Sequence, residues 1–187
     1  MLEIYDIYTI PFSIQAVEKI KKINKQRDYN ANPTNYNNYG AEFNTTWVGL
    51  AGELAFKHFL DLNPVEYRYY SDIRTKDIVD FDVYSLNIDV KTSSCKTEPQ
   101  LYWNCGVSEP QFDKTIEQKK VNCFLFCNYN LLTNEASVLG FLHISDFQKL
   151  AKFTPQGTKR GSIELSVGDY SVKTYDLRPL NDLPKFR

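Results

Sequence analysis

The chain has 187 residues, 42% hydrophobic and 24% charged, with a formal net charge of −1. This length supports one domain with a substantial core, and the near-neutral balance excludes a globally basic nucleic-acid binder, so any phosphate-binding surface must be local. No apolar run approaches the roughly 18 residues of a membrane span, and Met1 to Asp6 lacks the basic start and apolar stretch of a secretion signal, so no membrane partner is expected.

Ser13 to Arg27 reads as an amphipathic helix. Ser13 suits its N-cap, and Ala16, Val17, Ile20 and Ile23 form an apolar stripe. Its polar face, with Lys19, Lys21, Lys22, Lys25 and Arg27, is either solvated or a phosphate contact. Asp28 to Asn44, rich in Asn and Tyr, is expected to be a long loop, a kind that is usually functional or disordered. A second helix starts at Thr45 or Thr46 and runs to Leu60. It is apolar nearly all round, which marks a buried helix. Gly49 and Gly52 weaken it by about 1 kcal/mol each relative to Ala, and they permit close backbone packing. Glu53 sits in its middle, where an uncompensated carboxylate is costly. Two partners suit it: Lys57, one turn on, or a metal ion.

Val65 to Ser71 is expected to form a strand. Asp80 to Tyr84 and Asn87 to Ser93 then alternate apolar with polar, the pattern of half-buried β-structure. Phe81, Val83, Ile88 and Val90 take one side; Asp80, Asp82, Asp89 and Lys91 take the other. The link Ser85-Leu86 is short enough for a tight hairpin, though it lacks the usual Asn-Gly. Folded so, two or three carboxylates and one ammonium converge on one patch of sheet. Carboxylate oxygens suit a hard divalent cation. A lysine beside them can hold or deprotonate a water, or neutralise charge developing on a phosphate. The pattern outlines a metal-dependent phosphodiesterase. The plainer alternative is a surface ion pair between Asp89 and Lys91, which is worth little and leaves Glu53 unexplained. A second acid-x-Lys triplet, Glu117-Gln-Lys119, falls on the polar side of an expected helix and carries no such context.

Further on, Gln100 to Gly106 reads as extended. Glu109 to Lys120 reads as a helix, with Pro110 in its first turn and Phe112, Ile116 and Lys120 on one face. Val121 to Tyr129 is a near-continuous apolar run, expected as a central strand covered on both faces. Leu131 to Glu135 is a turn and Ala136 to Ile144 a strand. Ser145 is expected to cap a short helix to Phe153, and Ile163 to Leu177 to supply late strands. Between them, Thr154 to Gly161 is an exposed basic loop whose Lys159 and Arg160 either contact phosphates or merely connect. Four cysteines are few for a disulfide scaffold, so a reducing, cytoplasmic setting is expected. Cys123 and Cys127 share a strand face. With only His58 and His143 to help them, they read as buried thiols rather than half a zinc site. The order of elements is that of an α/β or mixed-sheet domain.

The succession Gly49-Leu-Ala-Gly-Glu53-Leu-Ala-Phe56, Asp80-Phe-Asp-Val83 and Ile88-Asp-Val-Lys-Thr-Ser93 resembles the PD-(D/E)XK nuclease superfamily, in particular small phage- or prokaryote-encoded members. The resemblance spans Thr46 to Tyr129, with weaker echoes in Val138 to Phe147 and Tyr175 to Leu180. Within a single domain, 46–129 would be the nuclease core. Residues 1–45 would be an N-terminal helix and Asn/Tyr-rich loop, and 130–187 C-terminal strands and a short helix. The resemblance implies a restriction-endonuclease-like α/β fold, a mixed central sheet flanked by helices with an αβββαβ core. Asp80 and Asp89 would bind Mg²⁺ or Mn²⁺ with the Val90 carbonyl, and Glu53 would complete the metal site. Lys91 would orient the attacking water and stabilise the phosphorane-like charge. Ser93, Lys159 and Arg160 would be substrate contacts. The proline that names the superfamily is absent, since Val79 precedes Asp80. Asp82 rivals Asp80, and the spacing to Asp89 favours Asp80. The implied activity is metal-dependent hydrolysis of nucleic acid, DNA in the first instance, and a homodimer would suit double-strand cleavage. The alternative is a nuclease-fold protein without turnover that binds nucleic acid, a host protein or another partner.

Overall fold

The computed structural model describes residues 3–31, 46–70, 79–160 and 163–183. Its helices are α1 (Ile14–Ala31), α2 (Thr46–Asp61), α3 (Glu109–Gln118) and α4 (Ile144–Leu150). Its strands are β1 (Tyr8–Pro11), β2 (Tyr67–Tyr69), β3 (Phe81–Val83), β4 (Leu86–Cys95), β5 (Asn104–Ser108) and β6 (Cys123–Asn130). They continue with β7 (Glu135–His143), β8 (Lys152–Thr154), β9 (Lys159–Arg160), β10 (Ile163–Glu164) and β11 (Asp169–Lys173). Among the described residues no helix is long and apolar enough to cross a membrane.

The main sheet has the order β1-β7-β6-β4-β3-β2. It is mixed: β4 and β6 run parallel, joined through β5 and α3, and the other pairs are antiparallel. Every residue of β6 is buried, which explains its unbroken apolar character. Its odd positions Cys123, Leu125 and Cys127 pack with Val48, Ala51, Ala55 and Phe56 of α2. Its even positions Phe124 and Phe126 face Phe112 of α3, Phe147 of α4 and Val107 of β5. The expected α/β class with a mixed sheet between helices is what the chain forms. A second sheet, β5-β11-β8, lies within that second layer.

Helix α1 begins as read, with the Ser13 Oγ accepting the Ala16 N–H at 3.1 Å, and buries Val17 and Ile20. It continues to Ala31, taking the first residues of the expected loop, because no glycine or proline interrupts the chain before Pro33. The rest of the Asn/Tyr-rich stretch, 32–45, lies outside the described residues, as does Ser71. Two further expectations are corrected. The hairpin turns on Tyr84-Ser85, not Ser85-Leu86: Val83 pairs with Leu86, and φ is 49° and 68° at the two turn residues. The right-handed twist of the flanking strands selects a turn with two positive φ values even without Asn-Gly. Helix α4 is capped at His143 rather than Ser145 and ends at Leu150, because Lys152–Thr154 is drawn into pairing with β11. Strand β1, which the periodicity does not reveal, adds an edge beside β7, and its Pro11 suits an edge. The basic stretch after Thr154 includes β9, paired with β10.

Candidate active site

Asp80 stands just before β3, where three neighbours hold it. Its carbonyl accepts the Tyr70 N–H at 2.9 Å, and its own N–H donates to the Ile88 carbonyl at 2.9 Å. Its Oδ2 accepts the Val90 N–H at 2.7 Å. A residue in a strand directs N–H and C=O to the same edge, so the Val90 carbonyl also faces the Asp80 side. Asp89 and Lys91, two apart on β4, share a face and pair at 2.7 Å. Their side chains are only 8% and 17% exposed, and the Lys91 ammonium lies 5.8 Å from the Phe124 ring centre. The surface ion pair of the plainer alternative is therefore a nearly buried one, whose desolvation is costly.

Glu53 comes from α2, on the opposite face of β4. The helix docks closely because of Gly52: a Cβ there would stand 2.0 Å from the Thr92 Oγ1 and 3.0 Å from the Cys127 Cβ. Lys57 pairs with Asp61 at 2.7 Å, and Asp61 also accepts the Tyr67 hydroxyl. Glu53 Oε2 accepts the Tyr69 hydroxyl at 2.7 Å. Sequence reasoning did not single out Tyr69, since an aromatic in a short strand carries no motif.

Asp80 and Asp89 both feel neighbouring charges. Burial, then the charges of Glu53 and Asp89, push the Asp80 carboxyl well above its ordinary 3.8, against the Val90 hydrogen bond and Lys91. Burial also raises Asp89; Lys91 opposes the shift by charge and hydrogen bond, and Glu53 adds to it. Part of the Asp80 residue is exposed, but its carboxylate end is buried among protein atoms. Asp82 is engaged elsewhere, its Oδ1 accepting the N–H of the turn residue Ser85 at 2.9 Å.

Strand β3 ends its pairing with β4 at Phe81 opposite Ile88. Beyond that point a cleft of about 460 Å³ opens beside β4, lined by Gly49 of α2, Lys91, Thr92 and Ser93 of β4, Gly106 of β5 and Gln111 of α3. Ser93 thus shares the cleft with Lys91. Lys159 is exposed on β9 and is not part of the lining, and the Arg160 side chain lies outside the described residues. Cys123 and Cys127 are free and buried, as expected, Cys123 lying 3.4 Å from the His143 Nδ1.

Among the described residues no three acidic, His or Cys side chains are drawn together into a ready metal cage. Each candidate carboxylate has at least one oxygen committed, to Lys91, Val90 or Tyr69. The chemistry of the donor set is the kind a hard divalent ion takes, since all its atoms are oxygens. Comparison with protein-family models, with curated proteins and with solved structures gave no match.

Proposed function

We propose that the protein is a metal-dependent nuclease that hydrolyses phosphodiester bonds, DNA being the first substrate class to test, on a restriction-endonuclease-like core. The observation that carries the reading is the nearly buried Asp89–Lys91 pair, its lysine lining a cleft, with Asp80 close enough to feel the charges of Asp89, Glu53 and Lys91. Burying like charges together is unfavourable and marks sites built for a task. The fold reading draws support from the order α2, β2, β3, β4, α3, β6 and from the parallel β4–β6 pair. Strand β5 is an addition, diverted to the second sheet.

In this reading Asp80, Asp89 and Glu53, with the Val90 carbonyl, hold Mg²⁺ or Mn²⁺. The bound ion supplies charge neutralisation at the phosphate and an acidified water. Lys91 would turn its ammonium to the phosphate oxygens, where charge grows in the transition state. The walls from Gly49 to Gln111 exclude water on either side, and Ser93 donates to the substrate backbone.

The test is cleavage of supercoiled plasmid, linear duplex, single strand, branched junction and RNA in Mg²⁺ or Mn²⁺, with wild type beside Lys91→Ala. Cleavage by the wild type alone supports the reading, and the preferred substrate names its class. Equal cleavage by both points to contamination. No cleavage of any substrate, with nucleic acid still bound, favours a binding protein on a nuclease scaffold.

A further inference from the structure

We propose that the cleft beside β4 takes a single unpaired strand of nucleic acid and not a duplex; the inference rests on the nuclease reading and names its substrate. Strand β3 stops pairing with β4 at Ile88, while β6 follows the other edge of β4 to Cys95. The cleft opens along the edge that β3 leaves. Its walls come from both layers, α2 on one side of the sheet and β5 with α3 on the other. Adjacent strands in a sheet stand about 4.8 Å apart, so a gap left by one strand has the breadth of one chain. The volume agrees. At about 460 Å³ it lies toward the lower end of the range for clefts that hold small ligands, about 300–1,000 Å³, which is the scale of a nucleotide.

What the strand must reach lies deep. The Lys91 ammonium is 2.7 Å from the Asp89 carboxylate, and its side chain is only 17% exposed. A phosphate touching it has to pass Gly49 of α2 and Gly106 of β5, two wall residues without side chains. A duplex carries a partner strand beside every phosphate, and that second strand has no place in such a gap. The charge of the lining agrees. Among the described residues that line the cleft Lys91 alone is charged, and Asp89 offsets it, whereas a typical duplex-binding surface neutralises about 6–10 phosphates. The exposed Ser93 and Gln111 supply uncharged donors, which serve phosphate and sugar oxygens without reading sequence. Phe126 lines the cleft but is only 2% exposed, so it gives bases no stacking platform. The strand is held by its backbone.

Binding would be read first without metal, in EDTA, by the anisotropy of a short labelled DNA oligonucleotide, single-stranded or annealed to its complement. The expected result is a single-strand affinity at least about tenfold above that of the duplex. With one cation engaged, the logarithm of that affinity falls with the logarithm of salt concentration at a slope of about −0.7. Gly49→Phe is expected to remove the binding at an unchanged melting temperature, because its ring fills the cleft. The strand preference and the slope are read on the wild type, so they stand whether or not the variant folds. Equal or tighter duplex binding, no binding of either, a slope steeper than about −2, or full binding by a folded Gly49→Phe overturns the inference. Cleavage of the same DNA in Mn²⁺ separates the inference from the reading on which it rests. Equal cleavage of duplex and single strand overturns the inference and keeps the nuclease. Single-strand binding lost in Gly49→Phe, with no cleavage by the wild type, supports the inference and removes the nuclease.

Discussion

The Val90 N–H donates to the Asp80 Oδ2 at 2.7 Å, so the carboxylate at the start of β3 hangs on the backbone of β4. That bond favours the charged form, yet burial and the charges of Glu53 and Asp89 outweigh it. The site keeps an acid where it is unwelcome, and this has measurable consequences.

The unfolded Asp80 titrates near 3.8, while the folded one holds its proton to a much higher pH. Between those limits the folded chain binds more protons, so stability from this group is present at low pH and lost as pH rises through the window. Asp80→Asn keeps an acceptor for Val90 and removes the charge. Its melting temperature, without metal, is expected to exceed that of the wild type by a margin that grows as pH rises above about 4. Asp89→Asn is expected to do the opposite, since it leaves the nearly buried Lys91 ammonium without its paired carboxylate, at a cost of about 3 kcal/mol. Thermal melts across pH check both, and a constant margin for Asp80→Asn counts against the buried-charge account.

The two glycines of α2 predict opposite outcomes. A Cβ at Gly52 meets the Thr92 side chain at 2.0 Å, whereas one at Gly49 meets nothing within 4 Å. Gly52→Ala is expected to destabilise by about 1–3 kcal/mol through overpacking. Gly49→Ala is expected to stabilise by about 0.5–1 kcal/mol through helix propensity. Gly49 lines the cleft, so on the proposed nuclease reading Gly49→Phe should fold and yet block substrate, raising KM before it alters melting. Denaturant titration separates the first pair, and cleavage kinetics read the third.

The Thr92 Oγ1 is buried and finds no hydrogen-bond partner among the described residues. Replacing a buried hydroxyl of this kind by a methyl of equal shape removes its desolvation cost, so Thr92→Val is expected to stabilise by about 1 kcal/mol. A loss of stability in chemical denaturation would show that water or the cleft's occupant satisfies the hydroxyl.

Burial raises every cysteine thiol, to about 11 for Cys105 and to about 12 for Cys123, and raises Cys127 as well. The reactive thiolate is therefore scarce at neutral pH. Iodoacetamide is expected to label Cys105, Cys123 and Cys127 slowly in the folded protein and quickly in urea, with the more exposed Cys95 first. Mass spectrometry of timed digests reads the order, and early labelling of Cys127 would mean that the core opens locally.

Local pattern determined a good deal. The apolar run of β6, the buried face of α2 and the alternation of β3 and β4 are written in residue order, because burial on one face or two leaves a period that composition alone carries. The pairing of Asp89 with Lys91 follows from the same alternation, since residues two apart on a strand share a face. The tertiary structure decided what depends on distant partners. Lys57 lies one helical turn from Glu53, yet its ion pair is with Asp61, and the Glu53 carboxylate accepts a hydroxyl from Tyr69, sixteen residues away on another element. Asp82 has the same pattern as Asp80, and only the turn at Tyr84-Ser85 draws it away to the Ser85 N–H. Strand β8 cut short the helix read to Phe153 because pairing with β11, far along the chain, outweighs local helix preference. A sequence states which side chains can share a face; which of them meet is settled by packing between elements that residue order leaves apart.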